Sequence, residues 1–363
     1  MLDEQLLDDP GELARADGEA GGQLRSAALA GAQVRSTAET AAEVGMDALT
    51  GSRPRALVFL TRPGVGRAVS ELLIALLGDS CPAPLVRAGS LPSWVGPLDV
   101  VLAHTDDPGD PVLAESIDRA RRRGAQLVLT APAEGPVAAA SAGTALLLPS
   151  RVPTPPGFAF HRALAAGLLV LNALGLLRTD LDVLADELDR EAERDQAGYE
   201  SFVNPAKALA LRLADRTPVL TGLDPVAAAV AEHAVDVLGG FAGVVAAATD
   251  YPQLAGRPAL HRAAVTQSAS AADIFADPDD TPGGLLRVLL LAVVQDDQLA
   301  EMTRLSALEF LPAADLLAPA EETSGGTAVR AAVLALRFEL AAVYLGLATG
   351  SLGGPGRYAP AVA

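Results

Sequence analysis

The stretch from Phe202 to Gly222 constrains the fold of this chain more than any other. Asn204-Pro205 opens it, Ala206 to Ala214 carries alanine and leucine at helical spacing, and Pro218 to Gly222 reads as a short buried strand. A helix feeding an aliphatic strand is the repeating unit of an α/β sheet. Parallel strands covered on both faces read as aliphatic runs. The composition fits. Half of the 363 residues are hydrophobic but only 4% are aromatic, so the core must be built from Ala, Leu and Val.

The same unit recurs on either side. The first 50 or so residues are Ala-, Glu- and Gly-rich with loosely helical spacing, and read as helices lying outside a first sheet. Ala56–Leu60 is a buried strand, Thr61–Gly66 a turn and Arg67–Leu77 a helix. Short strands follow at Pro84–Arg87, Leu98–Ala103, Gln126–Thr130 and Thr144–Leu148, with a helix over Val112–Arg123. Its last turn holds Arg121, Arg122 and Arg123 ahead of Gly124, as suits a solvated helix end. The proline-rich segment Arg151–Gly157 is a linker. Phe158–Glu200 is helical, with a break at Arg178-Thr179-Asp180 where Thr179 or Asp180 would cap a second helix. In the second half, Pro218–Gly222, Phe241–Ala248 and Leu285–Val294 are strands. Asp224-Pro225 caps a helix over Val226–Leu238. Asp296–Leu308 and Thr327 to about Gly350 are helices, Gly256–Gly284 is irregular, and Ser351–Ala363 is a mobile tail. The expected organisation is a helical extension over 1–50, an α/β subdomain over 51–150, connecting helices over 151–200, a second α/β subdomain over 201–350 and a tail over 351–363. Each subdomain is a mainly parallel sheet flanked by helices.

Charge and composition narrow the function. A net charge of −18 argues against nucleic acid and anionic membrane surfaces as partners. A phosphorylated ligand would need local donors acting against a repulsive field. One cysteine, Cys81, rules out an internal disulfide and suits a cytoplasmic location. The longest apolar run, Ala163–Leu177, is too short to span a bilayer and reads as a core helix. Four histidines and one cysteine show no zinc-like spacing. A P-loop, a nucleophile elbow and a dinucleotide fingerprint are all missing, so no cofactor is called for.

In an open α/β sheet the site lies beyond the carboxyl ends of the strands. Two loops of the first half qualify. Thr61–Gly66 offers Arg62 and Gly64, whose backbone amides and guanidinium could meet an anion. His104–Pro111 offers Thr105 and Asp106, with Asp110 as a helix cap.

Several segments resemble the bifunctional phosphoglucose/phosphomannose isomerases, which are built from two sugar-isomerase (SIS) subdomains. Phe202–Leu213 resembles the segment joining their two halves. Leu91-Pro92-Ser93-Trp94-Val95 resembles the block before their second strand. Pro156-Gly157 through Arg162-Ala163 resembles a Gly-x-x-Pro-Arg-Ala segment, and Phe338–Leu345 resembles the closing helix. The resemblance spans roughly Leu57 to Gly350 and implies two SIS subdomains and a sugar-phosphate ligand; the Ala- and Leu-rich helices suit a homodimer. It adds Arg162 and Lys207, the single lysine, to the ligand-binding candidates Arg62, Gly64, Thr105 and Asp106.

The departures from that family are as informative. Where it carries a Ser-Gly-Asn-Thr type loop for phosphate, this chain has His104-Thr105-Asp106-Asp107-Pro108-Gly109-Asp110. Three aspartates repel a dianion. Aldose–ketose isomerisation needs a base and an acid, commonly glutamate and histidine. No Asn-His-Asn-Glu motif is present, and the corresponding window offers only Asp250 and His261 as catalytic candidates. The resulting expectation is a SIS-fold protein, catalytically impaired, binding a carbohydrate derivative or a partner. The alternatives are an active phosphosugar isomerase, with Asp106, Asp107 or Asp250 as base and His261 as acid, and a purely structural interaction protein.

Overall fold

The computed structural model describes residues 2–155, 157–272, 286–312 and 314–352. The chain forms two compact units. One is Leu29–Asp189; the other joins the segment through Ala28 to the chain from Arg190 onward.

The first unit holds a five-stranded parallel sheet of β1 (Ala56–Leu60), β2 (Leu85–Ala88), β3 (Asp99–His104), β4 (Gln126–Thr130) and β5 (Leu146–Leu147), in the order β2-β1-β3-β4-β5. Every pairing is parallel. One face, from Val58, Leu60, Val101, Ala103, Leu127 and Leu129, packs on Leu113, Ile117 and Ala120 of helix Pro111–Arg122. The central strands β1 and β3 are buried along their whole length, the reason Val100–Ala103 is aliphatic and Ala56–Leu60 apolar throughout.

The second unit holds β6 (Thr217–Gly222), β7 (Ala247–Asp250), β8 (Leu286–Leu291) and β9 (Asp315–Leu317), in the order β7-β6-β8-β9 and again all parallel. Val219, Val288 and Leu290 form a core with Leu254, Ala264, Ala307 and Leu311. On the other side, helix Pro225–Phe241 packs directly behind β6. A Cβ on Gly222 would come within 2.3 Å of the Ala228 amide nitrogen, so this junction admits only glycine. The closing helix Thr327–Thr349 is buried from Ala328 through Ala348. It is long and apolar enough to cross a membrane, yet its apolar stretch lies wholly inside the fold. Its polar groups explain how: Arg337 Nε bonds Glu191 at 2.5 Å, Glu339 Oε1 lies 3.0 Å from His233 Nε2, and the Tyr344 hydroxyl donates to the Asp195 carbonyl at 2.6 Å.

The α/β class and the alternation are as the sequence implies, with four differences. Helix Pro225–Phe241 continues through Gly239 and Gly240, so the expected strand over Phe241–Ala248 shrinks to β7; Gly243, at φ +64°, marks the turn out of the helix. The first part of the irregular stretch is helix Pro258–Ala272, and the rest, from 273 to 285, lies outside the described residues. Helix Pro136–Ala140 and strand β9 have no sequence expectation behind them; at five and three residues they are too short to show periodicity. The expected break near Arg178 is present: the helices are Phe160–Ala173 and Leu181–Arg194, with Asp180 Oδ1 accepting from the amides of Asp182 and Val183. The expected mobile tail falls, from Gly353 on, outside the described residues.

Candidate functional site

Strand order places the switch point of each sheet beside its first strand, between β1 and β3 and between β6 and β8, where helices leave in opposite directions and a crevice opens. Each crevice is bridged by an aspartate.

At the first switch point, Asp110 caps helix Pro111–Arg122. Its Oδ1 accepts from the amides of Val112 and Leu113, each at 3.0 Å, and its Oδ2 accepts from Arg62 Nε at 2.6 Å. Burial opposes its ionisation, but Arg62 and the two amides hold its carboxyl below the usual range. Arg62 reaches across from the loop after β1, where Gly64 turns the chain at φ +111°. Thr105 is 2% exposed, and its hydroxyl closes its own turn by accepting from the Asp107 amide at 3.0 Å. Asp106 lies 3.0 Å from Arg162 Nη2 on helix Phe160–Ala173 and 3.6 Å from His104 Nε2. Burial works against its charge, but His104 and Arg162 together lower its pKa. Arg62, Gly64, Thr105, Asp106 and Arg162 therefore do share one strand-end region. Each of the four polar side chains is already bonded to its neighbours there.

His104 is the participant that sequence reasoning passed over. Its Nδ1 lies 2.9 Å from Thr130 Oγ1, and burial pushes its imidazole down against the pull of Asp106. Its place as the last residue of an aliphatic strand was the available signal. Beside it, a small open cleft of about 30 Å³ is lined by Ser70, Leu73 and Thr130 among mainly apolar neighbours.

The remaining sequence candidates lie in the second unit. Lys207 is fully buried, and its ammonium donates to the carbonyls of Leu7 at 2.5 Å, Ala197 at 2.9 Å and Tyr199 at 2.6 Å. That cage anchors the turn ahead of helix Pro205–Leu213 and leaves the amine turned away from any ligand. Asp250 ends β7 and caps helix Tyr251–Ala255 through the Gln253 amide at 2.7 Å. His261 sits on helix Pro258–Ala272 with its ring edge against Phe310.

At the second switch point, Asp224 makes the bridge. Its Oδ1 caps helix Pro225–Phe241 at the Ala227 amide, 2.8 Å away, and its Oδ2 accepts from the amides of Val293 and Val294 just past β8. Beside it opens a pocket of about 730 Å³ at the carboxyl ends of β6, β8 and β9. Its walls carry Asp224, Asp296, Asp297, Glu301 and Glu321 against Arg304 and Arg330. No histidine lines it. Its volume falls in the range of small-molecule sites. The sequence could not disclose this pocket, because its walls come from four segments more than a hundred residues apart from first to last. Among the described residues, no group of three or more His, Cys, Asp or Glu side chains is arranged to hold a metal ion.

Known structures share this architecture. The C-terminal domain of glucosamine-fructose-6-phosphate aminotransferase from Francisella tularensis superposes with a TM-score of 0.61 at 12% identity, covering 92% of this chain and 97% of that one. Tagatose-6-phosphate ketose/aldose isomerase from Escherichia coli gives 0.61 at 10% identity, covering 90% and 92%. A hypothetical protein from Thermus thermophilus gives 0.64 at 14% identity, covering 94% and 89%. No protein-family model matches the sequence, and no curated protein does. The likeness defines the fold: two SIS-type subdomains, as in phosphosugar isomerases.

Proposed function

We propose that this chain is a SIS-fold protein, allied to the bifunctional phosphoglucose/phosphomannose isomerases, that binds an unphosphorylated carbohydrate derivative and does not isomerise phosphosugars. One observation carries the reading. The helix N-termini at both switch points, where amides and a helix dipole would favour a phosphate, hold a carboxylate of the chain itself, Asp110 in one and Asp224 in the other. A phosphate dianion entering either place meets a like charge; at 4 Å that costs about 1 kcal/mol in water and about 4 kcal/mol in a less polar crevice, per charge pair.

The chemistry supports the same reading. Moving a proton between adjacent carbons takes a positioned base and acid. The pocket at the second switch point has carboxylates but no imidazole, and Asp250 is committed to a helix cap. A 730 Å³ pocket rimmed with acceptors suits a hydroxyl-rich ligand.

The test is a coupled assay on glucose 6-phosphate and mannose 6-phosphate, paired with calorimetry on phosphorylated and unphosphorylated hexose derivatives. The expected result is no turnover above background, and heat only with unphosphorylated compounds. Turnover that disappears in Asp250→Ala or His261→Ala would make the protein an active isomerase. No heat with any hexose derivative would make it an interaction protein.

A further inference from the structure

Among its described residues, the unit around the second sheet buries three cations, and one differs from the others. Arg337 pairs with Glu191 at 2.5 Å, and Lys207 is caged by three carbonyls close to the Asp8 carboxylate. Arg330, 5% exposed near the start of the closing helix, has no carboxylate within ion-pair distance among the described residues. Its Nε donates to the Val293 carbonyl at 3.1 Å and its Nη1 to the Ala320 carbonyl at 3.5 Å. With the Gln295 amide turned so that its oxygen faces the guanidinium, that oxygen accepts from Nη1 at 3.2 Å and Nη2 at 3.1 Å. Every acceptor is neutral. Burial alone acts on this group and lowers its pKa. An uncompensated buried guanidinium is costly. Arg330 lines the 730 Å³ pocket, and Gln295, an exposed residue on the same wall, covers the two-pronged edge that a carboxylate would take.

The rest of the wall has the opposite sign. Three of its five carboxylates are engaged: Asp224 holds the amides after β8, Asp297 caps helix Gln298–Phe310 at the Ala300 amide, and Glu301 pairs with Arg304 at 2.8 Å. Asp296 and Glu321 reach the pocket with no hydrogen bond or ion pair among the described residues. The pocket thus asks for one anion at a buried point and a cation near its rim.

We propose that this pocket binds a zwitterionic sugar derivative, an amino-sugar acid, whose carboxylate displaces Gln295 from Arg330 and whose ammonium lies between Asp296 and Glu321. This rests on the carbohydrate-binding reading above and adds the ligand's charge pattern. A carboxylate suits Arg330 where a phosphate does not: its two oxygens match the guanidinium fork, and it brings one negative charge past the acidic rim in place of two.

Four probes separate the two charges: D-glucosaminate, D-gluconate, D-glucosamine and D-glucose, titrated calorimetrically into the full-length protein. D-glucosaminate binds at least tenfold tighter than D-gluconate or D-glucosamine, and each of those binds tighter than D-glucose. In Arg330→Gln, D-glucosaminate weakens to the level of D-glucosamine. Asp296→Asn/Glu321→Gln, a surface pair that leaves the core untouched, weakens it to the level of D-gluconate and keeps the proposal testable if Arg330→Gln fails to fold. Equal affinity for D-glucose and D-glucosaminate overturns the inference while leaving carbohydrate binding in place. Silence with all four probes overturns both.

Discussion

Asp224 seals the second switch point from within: its Oδ2 sits 2.9 Å from the Val293 amide and 3.1 Å from that of Val294, while its Oδ1 caps the helix that starts one residue later. A side chain that sequence reasoning reads only as an N-cap also ties the end of β6 to the end of β8. It fills, with its own negative charge, the nest in which an anionic ligand would lie.

Asp224→Ala should therefore act in two ways. Losing the cap costs about 0.5–2 kcal/mol. The buried Val293 amide left without an acceptor adds about 1–3 kcal/mol. Urea denaturation should show a loss of roughly 3 kcal/mol. The vacated nest should also become an anion site, so inorganic phosphate should raise the Tm of the variant more than that of the parent. Equal stabilisation of both proteins would refute the self-occupied nest.

Asp195 gives the fold a pH signature. It is 1% exposed, bonds the Ala206 amide at 2.8 Å, and lies near Glu191 and Arg337. Burial first, then the Glu191 charge, push its carboxyl up from 3.8 to about 7. Between those values the folded state binds more protons than the unfolded state, so stability falls as pH rises across that window. The contribution is complete below the lower value and gone above the upper one, up to about 4 kcal/mol in all. Asp195→Asn, which mimics the protonated acid and still accepts from Ala206, should flatten the curve and match or exceed the parent in stability at pH 8. Urea midpoints measured from pH 4 to pH 8 decide it: parallel curves for the two proteins would rule out this titration.

Lys207→Met should be among the most damaging single changes. It strips the donor from three carbonyls at once, that of Leu7 buried and those of Ala197 and Tyr199 partly so, and removes the cation seated 5.5 Å from the Tyr344 ring. Bonds to charged groups contribute about 1.5–3 kcal/mol each and do not add fully, so a loss of about 3–5 kcal/mol is expected. Because Leu7 supplies one carbonyl, the N-terminal helices should also become cleavable by protease under native conditions. A stable variant with a protected N-terminus would show that the cage is not what holds this turn.

Gly222→Ala tests the packing behind β6. The added methyl would lie 2.3 Å from the Ala228 nitrogen and 2.8 Å from its Cβ, atoms fixed in a helix. Overpacking of this kind costs about 1–3 kcal/mol or more. A variant with an unchanged denaturation midpoint would mean the strand and helix separate easily.

How far the sequence reaches depends on distance along the chain. Ala56–Leu60, Leu127–Leu129 and Val288–Leu291 are apolar runs because both faces of a parallel sheet are covered, and that requirement is written locally. The caps at Asp110, Asp180 and Asp224 are local too, each an acidic residue opening a helix. The five-residue helix Pro136–Ala140 and the three-residue β9 are set by the space left between neighbouring elements, so no local pattern announces them.

The candidate site divides the same way. Sequence alone placed Arg62, Thr105 and Asp106 on loops leaving the first sheet, and identified the acidic loop as ill suited to a dianion. It could not show that Arg62 is spent on Asp110, that Asp106 is held by Arg162, or that Lys207 faces inward, because each pairing is set by which elements pack together. Arg330 is the sharpest case. In the sequence it is one arginine near the start of an apolar helix, while in the fold it is a buried cation without a counter-charge at the wall of a pocket. Periodicity and capping act over a few residues and are fixed by the order of the chain; desolvation and charge pairing act through space, and only the packed tertiary structure determines them.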